Sequence, residues 1–192
     1  MDRNKYLAKP DETLGEHVEK LLEEAERLRE YGYIRDARIL ELVIIACIHH
    51  DDGKINHEMQ KRLEMGRAGK SGKFNPEKEV VHNILSGFLL NPDEIAAFHD
   101  DKNDYYRVLF AILFHHDYGN PWKIMKDKQE LINELLRDFD TVDIKKIRSQ
   151  NRVKKMMTDP MAIKIKGYLH KCDYSASGHY VSEYPNDFLD LS

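Results

Sequence analysis

The sequence has 192 residues, of which 33% are charged in near balance, giving a formal net charge of −4. This balance argues neither for nor against a nucleic-acid partner, and no apolar run approaches the ~20 residues needed to span a bilayer. A chain of this length can bury a sizeable core, so it needs no disulfide bonds to fold. We therefore expect a cytoplasmic protein without a membrane partner, with one domain over residues 1–192, a core over about 12–178 and a tail over about 179–192.

Helical periodicity recurs along the chain, whereas strand patterns are almost absent. The pattern predicts a first helix over about Glu12 to Glu30, with Thr13 as a candidate N-cap and Gly32 ending it. A second helix is predicted over about Ile34 to His50, and it is apolar nearly all round. Such a helix is typical of the centre of a core, so the expected fold is an all-α globular bundle.

Proline and glycine mark the turns in the middle of the chain. A loop is expected over about Met65 to Asn75, and Pro76 then opens a third helix. The pair Asn91-Pro92 is a second helix-start signature. A further helix is predicted over about Asn103 to His116, with Pro121 closing it.

The last third is predicted to contain an amphipathic helix around Leu131 to Phe139, a basic stretch, and a final helix from about Pro160. The two cysteines, Cys47 and Cys172, each lie in an apolar helical run. We interpret both as buried thiols that act as small apolar side chains.

Seven residues with metal-binding side chains lie near the ends or on the apolar faces of these helices. They are His17, His50, Asp51, His82, His115, His116 and Asp173. A lone histidine of this kind is more often an ordinary core residue, but an unpaired buried polar group costs about 1–3 kcal/mol, so adjacent buried histidines are costly. A metal removes that cost by binding one nitrogen of each ring. We expect the seven side chains to hold two divalent cations.

The remaining histidines fit this site less well. His49 lies about 100° from His50 around the same helix, so we expect it to face elsewhere. Surface or supporting positions are expected for His57, His99, His170 and His179.

The run His50-Asp51-Asp52-Gly53-Lys54 resembles the HDxGK signature of the HD-domain metal-dependent phosphohydrolases. His17 and Asp173 match that family's early histidine and late aspartate. His82 with Ser86, the doublet His115-His116 and the segment KGYLHKCDYSAS (Lys166 to Ser177) narrow the resemblance to the CRISPR-associated HD nuclease. That domain is the nuclease part of the type I interference nuclease-helicase, and the resemblance covers about residues 12–178.

The resemblance implies a helical bundle around a binuclear metal site. One ion would be bound by His17, His50, Asp51 and Asp173, and the other by His82, His115 and His116, with Asp51 bridging the two. Asp51 and Lys54 would be the catalytic residues, since Lys54 would steady charge on the phosphate. Imidazole ligands favour Mn, Fe, Co or Ni, with Mg as an alternative.

The implied reaction is hydrolysis of phosphodiester bonds in single-stranded DNA by a metal-activated hydroxide during CRISPR interference. The implied partners are the single-stranded DNA, a CRISPR helicase domain or subunit, and a guide-RNA surveillance complex. Two groups of basic residues could guide such a strand through phosphate contacts, although a solvated basic surface explains them equally well. They are Arg67, Lys70 and Lys73 in the loop, and Lys145, Lys146, Arg148, Arg152, Lys154 and Lys155 near the last helix. Tyr118 and Trp122 could stack on bases, although packing is the favoured role for each.

Two other functions stay open at this point. A small-molecule HD phosphohydrolase could act on nucleotides or cyclic dinucleotides, but the Gly-Tyr-Pro expected after the doublet in the cyclic-dinucleotide branch is absent, since the chain reads His115-His116-Asp117-Tyr118-Gly119. The other is a metal-loaded interaction module without turnover. The chain contains no helicase motifs, so we also hypothesise that it is a fragment of a longer protein.

Overall fold

A computed structural model describes residues 2–116, 119–139, 150–178 and 182. Within these ranges the chain forms α-helices and one small antiparallel sheet, so the predicted all-α fold is confirmed. None of the described helices is long and apolar enough to cross a membrane. The helices are α1 (Leu14–Glu30), α2 (Ala37–His49), α3 (His57–Arg67), α4 (His82–Leu89), α5 (Pro92–Ala96), α6 (Asn103–Leu113), α7 (Pro121–Asp127), α8 (Gln129–Leu135), α9 (Gln150–Met156) and α10 (Pro160–Gly178).

Helices α1, α2, α6 and α10 build the centre of the core. Helix α10 packs against the other three, and α2 also packs against α1 and α6. The apolar character of α2 therefore reflects contacts with neighbours on several sides. Cys47 on α2 and Cys172 on α10 are both free thiols and fully buried, as the sequence predicted.

The start of α1 is fixed by the capping residue that the sequence indicated. Thr13 Oγ1 accepts a hydrogen bond from Glu16 N at 3.2 Å, and Thr13 N donates to Glu16 Oε2 at 2.8 Å. This reciprocal arrangement is a capping box. The helix begins at Leu14 rather than Glu12, because strand β2 (Glu12–Thr13) pairs with β1 (Leu7–Lys9).

Capping also corrects the predicted start of α2. The side chain of Asp36 accepts hydrogen bonds from Arg38 N and Ile39 N, so the helix begins at Ala37 rather than Ile34. At the start of α5, Asn91 caps the helix by accepting a hydrogen bond from Asp93 N, as its position before Pro92 indicated.

The prediction that Pro76 opens a helix is wrong. Lys78 N and Glu79 N both donate to Asn75 O, which forms a turn, and α4 begins only at His82. Two tertiary contacts hold Glu79 in this turn, because its side chain accepts from Arg62 Nε at 2.8 Å and its carbonyl from Lys128 Nζ at 3.0 Å.

Three further boundaries differ from the sequence prediction. Helix α3 was not predicted, and it begins where the Asn56 side chain accepts a hydrogen bond from Met59 N at 3.1 Å. Helix α6 ends at Leu113 instead of His116, so the doublet follows the helix rather than lying within it. The sequence predicted that Pro121 closes the preceding helix, whereas Pro121 is the first residue of α7.

Candidate metal centre

The end of α2 supplies the first pair of site residues. His50 directly follows α2, and its Nδ1 lies 2.9 Å from Cys47 O. A carbonyl oxygen can only accept, so Nδ1 carries the hydrogen and Nε2 is left with a lone pair for another partner. His115 is held in the same way, because its Nδ1 lies 2.7 Å from Ile112 O. In their neutral forms both rings therefore present an unprotonated nitrogen away from their own helix.

A short 3-10 turn over Asp52–Ile55 follows α2, and α4 packs against this turn. Gly53 N donates to Ser86 Oγ at 2.8 Å. A Cβ atom at Gly53 would lie 2.2 Å from His82 O and 2.7 Å from Ser86 N, so only glycine allows this approach. The glycine of the HDxGK run thus sets His82 beside Asp51.

The first group of candidate ligands comes from α1, the end of α2, and α10. His17 Nε2 lies 3.5 Å from Asp51 Oδ2 and 3.3 Å from Asp173 Oδ1. His50 Nε2 lies 3.4 Å and 3.9 Å from the same two oxygens. Ligand atoms that share one cation at bond lengths of ~2.1 Å lie roughly 3–4 Å from one another. These four distances fall within that range.

The second group lies on α4 and in the segment after α6. His82, His115 and His116 each offer a ring nitrogen, and these atoms lie within 4.8 Å of one another. His82 Nε2 is 3.4 Å from His115 Nε2, and the His115 and His116 rings have centroids 4.1 Å apart. The amide of Asn83 stabilises this arrangement by donating to Leu113 O at 2.7 Å, which joins α4 to the end of α6.

Asp51 lies between the two groups. Its Oδ2 faces His17 and His50, whereas its Oδ1 lies 3.0 Å from His82 Nε2. Asp51 is 1% exposed, and among the described residues its Oδ1 and His50 Nε2 have no hydrogen-bond partner, whereas its Oδ2 is paired with the Lys54 ammonium. Buried polar atoms in this state are costly, and divalent cations would satisfy them. The residues present therefore fit a metal site.

The electrostatics of the centre keep Asp51 ionised and the His115-His116 doublet neutral. At His50, burial lowers the pKa, but the charge of Asp51 outweighs burial and raises it. Burial raises the pKa of Asp51, but the charges of His50, Lys54 and His82 outweigh burial and hold it well below its ordinary value. Burial, with repulsion from His50 and His82, lowers the pKa of His115 well below its usual range. Burial, with repulsion from His82, lowers the pKa of His116 to about 4. The doublet is therefore neutral at pH 7, as metal ligands must be.

No protein-family model and no curated protein matches the sequence. Among solved structures, the CRISPR-associated Cas3 HD domain protein from Methanocaldococcus jannaschii is similar, with a TM-score of 0.52 and 16% sequence identity. The match covers 88% of this chain and 98% of that chain. The chain has the HD-domain fold. At this identity the likeness establishes the fold, and the chemistry must be argued from the residues.

Within the HD-domain fold, Lys54 lies beside the candidate centre as its place in the HDxGK run suggested. Its Nζ is 2.6 Å from Asp51 Oδ2 and donates to Ala8 O at 3.3 Å. In this arrangement the ammonium compensates part of the charge of Asp51. Its predicted contact with a phosphate stays a prediction.

Sequence reasoning missed Glu12, which supports the HD-domain centre from behind. Its Oε2 lies 3.3 Å from His17 Nδ1, and the carboxylate also pairs with Lys9 at 2.8 Å and Lys20 at 2.6 Å. A carboxylate beside the outer nitrogen of a ligand histidine orients the ring and raises its basicity. The sequence pattern predicts Glu12 in the first turn of a helix, so its position in strand β2 beside His17 could not be foreseen.

His49 points away from the centre, as expected. Its Nδ1 contacts Asp52 Oδ2 at 2.7 Å, and its Nε2 contacts Glu94 Oε1 at 3.2 Å. Arg3 donates two hydrogen bonds to the same Asp52 carboxylate, at 2.8 and 2.9 Å. This group ties the amino-terminal segment to the turn that carries the HDxGK run.

The remaining predicted residues divide into three sets. His57 contacts Asp138, His99 contacts Glu41, and His170 is exposed, so none of them lies in the candidate centre. Trp122 packs against the core. The exposed basic residues are Arg67, Lys70, Lys73, Arg152, Lys154 and Lys155, whereas Lys145, Lys146, Arg148, Tyr118 and His179 lie outside the described residues.

Proposed function

We propose that the protein is a metal-dependent phosphohydrolase that cleaves phosphodiester bonds of single-stranded DNA in CRISPR interference. The observation that carries the proposal is the position of Asp51, whose two oxygens face two different sets of histidines. The HD-domain fold supports it, since the similar solved structure is described as a CRISPR-associated HD domain protein.

In this proposal each of the two groups would hold one divalent cation, and Asp51, which lies between the groups, would contribute to both sites. Mn, Fe, Co or Ni suits the imidazole-rich donor set, with Mg as an alternative. When bound, such cations lower the pKa of water and stabilise charge that develops on a phosphate group.

The protein's own residues hold the centre rigid and leave one side open. The hydrogen bonds from His50 to Cys47 O and from His115 to Ile112 O fix the two rings before any ligand arrives. His116 and Asp173 are the more exposed members of the seven, so we place substrate entry on their side. Lys54, whose Nζ lies beside Asp51, would be positioned to pair with a phosphate oxygen of the substrate.

The test is incubation of a fluorescent single-stranded oligonucleotide with the protein and Mn²⁺ or Ni²⁺. Parallel reactions contain duplex DNA, nucleoside triphosphates or cyclic dinucleotides. We expect cleavage of the single strand and its loss in EDTA. Hydrolysis of the small molecules alone would favour a small-molecule phosphohydrolase, and no hydrolysis at all would favour an interaction module.

Two variants of the centre sharpen this test. Asp51→Ala should abolish cleavage more completely than Lys54→Ala, because Asp51 is proposed to contact both ions. Asp127→Asn, an exposed carboxylate on α7, is the matched control and should retain full activity. Equal residual activity in the Asp51 and Lys54 variants would contradict the bridging role.

The proposed partners follow from this activity. A helicase domain or subunit and a guide-RNA surveillance complex would supply the single strand, and a pull-down from cells that carry such a complex would test the association. The described cations Arg67, Lys70 and Lys73 are exposed, as contacts to a strand would require.

A further inference from the structure

The α3–α4 loop (residues 68–81) presents an aromatic ring among exposed cations. Phe74 is 44% exposed, and Lys70 and Lys73 are exposed as well. From residue 67 to residue 75 the sequence contains three cations and no acidic residue. Within the described part of the chain, none of these three cations has an ion pair with a carboxylate. This part of the loop therefore carries uncompensated positive charge around one exposed ring.

Hydrogen bonds hold the α3–α4 loop in one conformation. At its start, Lys70 N donates to Met65 O at 2.9 Å, which ends α3 in a Schellman motif. Further along, Asn75 N donates to Glu79 Oε1 at 2.9 Å. Phe74 therefore directly precedes an anchored residue, and its ring is presented by an ordered backbone.

The ring of Phe74 is supported by Lys128, which lies between α7 and α8. The ammonium of Lys128 donates to Pro76 O at 2.7 Å and to Glu79 O at 3.0 Å. It lies 5.7 Å from the centroid of the Phe74 ring, within the range of a cation–π contact. Phe74 is exposed with this contact in place, so part of its ring is open to a ligand.

The α3–α4 loop lies between two elements that carry residues of the candidate centre. It leads into α4, whose first residue is the candidate ligand His82. Arg67 Nε donates to Pro10 O at 3.1 Å, in the turn before the strand that carries Glu12. His82 follows Phe74 by eight residues, so the two lie at most about 29 Å apart. A strand several nucleotides long can therefore reach both.

An exposed ring among cations fits unpaired nucleic acid. Bases of a single strand stack on aromatic side chains, and their phosphates pair with lysine and arginine. Bases in a duplex already stack on one another, so their faces are not available to the ring. Phe98 is 77% exposed but is followed by Asp100 and Asp101, whose charges repel a phosphate backbone. The combination of ring and positive charge distinguishes Phe74.

We propose that the α3–α4 loop binds the single-stranded DNA of the proposed function, with one base stacked on Phe74. The neighbouring phosphates pair with Lys70 and Lys73. This inference rests on the proposed function and adds to it a base-stacking residue and a course for the strand beyond the metal centre. Because the loop is already ordered, binding need not fix its backbone, which lowers the entropic cost.

The test is fluorescence anisotropy of a labelled deoxyadenylate oligonucleotide with the full chain, in EDTA, over a range of salt concentrations. EDTA prevents metal-dependent cleavage, so the affinity is measured without turnover. Phe74→Leu should weaken binding roughly 5- to 100-fold, the range for loss of one base stack, and Phe74→Trp should retain it. The affinity of a duplex should be the same for Phe74→Leu and the wild type.

The salt dependence separates the ring from the cations. Each phosphate contact to a single strand contributes about 0.7 to the slope of log K against log salt. The double variant Lys70→Ala/Lys73→Ala should therefore lower that slope by about 1.4, whereas Phe74→Leu should leave it unchanged because no charge is lost.

Two controls match these changes. Phe98→Leu removes a more exposed phenylalanine, and Lys102→Ala/Lys164→Ala removes two exposed cations outside the loop. Both should leave the affinity and the slope unchanged. With Mn²⁺, Phe74→Leu should hydrolyse bis(p-nitrophenyl) phosphate as fast as the wild type, because this small diester reaches only the metal centre.

The outcomes separate this inference from the proposed function. Oligonucleotide binding that the loop variants weaken, without any Mn²⁺-dependent cleavage, would contradict the nuclease activity and support the loop site. The loop site would be overturned by a wild type that does not bind the oligonucleotide, or by equal affinities of Phe74→Leu and the wild type. Slower hydrolysis of the small diester by Phe74→Leu would also overturn it, since the ring would then act through the fold.

Discussion

Replacing Gly53 by alanine should destabilise the protein and separate the two halves of the candidate centre. The added Cβ would lie 2.2 Å from His82 O and 2.7 Å from Ser86 N. Overpacking costs about 1–3 kcal/mol, and we expect the upper half of that range because both opposing atoms are backbone. A loss of about 2–3 kcal/mol lowers the melting temperature of a chain of this size by roughly 4–12 °C.

Gly167→Ala provides a matched control in α10. A Cβ at Gly167 meets nothing within 4 Å, so this variant removes backbone entropy from the unfolded state without a clash. We expect it to stabilise the protein by about 0.5–1 kcal/mol. The two variants therefore make the same chemical change, but we expect them to change the free energy of unfolding in opposite directions.

The assay is urea unfolding of both variants without metal, followed by Mn²⁺ titration. Gly53→Ala should also bind Mn²⁺ more weakly, because His82 must move away from Asp51. A Gly53→Ala protein with unchanged stability and unchanged Mn²⁺ affinity would refute the claim that this glycine sets the approach of α4.

Three other perturbations test separate contacts. Glu12→Gln should lower Mn²⁺ affinity about 10- to 100-fold, because it removes the negative charge beside His17 Nδ1. The control Glu19→Gln, on the exposed face of α1, should leave the affinity unchanged. Equal Mn²⁺ affinities of the two variants by calorimetry would argue against a role of Glu12 in orienting His17. Arg3→Ala should lower the free energy of unfolding in urea by about 1–3 kcal/mol, because it leaves the buried Asp52 carboxylate short of a partner. The control Lys5→Ala breaks only an exposed ion pair and should be close to neutral. Similar losses of unfolding free energy in the two variants would contradict this expectation. The pKa of His116 is lowered to about 4, so the unfolded state takes up its proton first and the metal-free protein loses stability as pH falls from about 6.5 to 4. His116→Gln should lose less stability than the wild type over that window, and identical pH profiles would exclude this contribution.

The sequence predicted the parts of the fold that are governed by local signals. The N-cap at Thr13, the start of α10 at Pro160 and the cap at Asn91 all depend on residues close in the chain. Helix α3 was missed because it buries only Met59 and Leu63, too few apolar residues to produce a clear period. The helix predicted from Pro76 begins only at His82, because distant side chains hold Glu79 in a turn, and no local pattern reveals such contacts.

The sequence indicated which residues form the candidate centre, but it did not indicate the residues that hold them in place. All seven candidate ligands come together, five histidines and two aspartates that lie at helix ends or on the apolar faces of helices. Their metal-binding role stays a prediction. The supporting Glu12 and Asn83 could not be foreseen, since each acts through a partner whose position depends on the tertiary fold.

The most direct test of the account is a crystal structure of the protein soaked with Mn²⁺, with data collected at the manganese absorption edge. We expect two anomalous peaks about 3.5–4 Å apart, one on each side of the Asp51 carboxylate. A single peak, or peaks that lie more than about 10 Å from Asp51 and so far beyond the ~2 Å reach of a coordination bond, would contradict the binuclear centre.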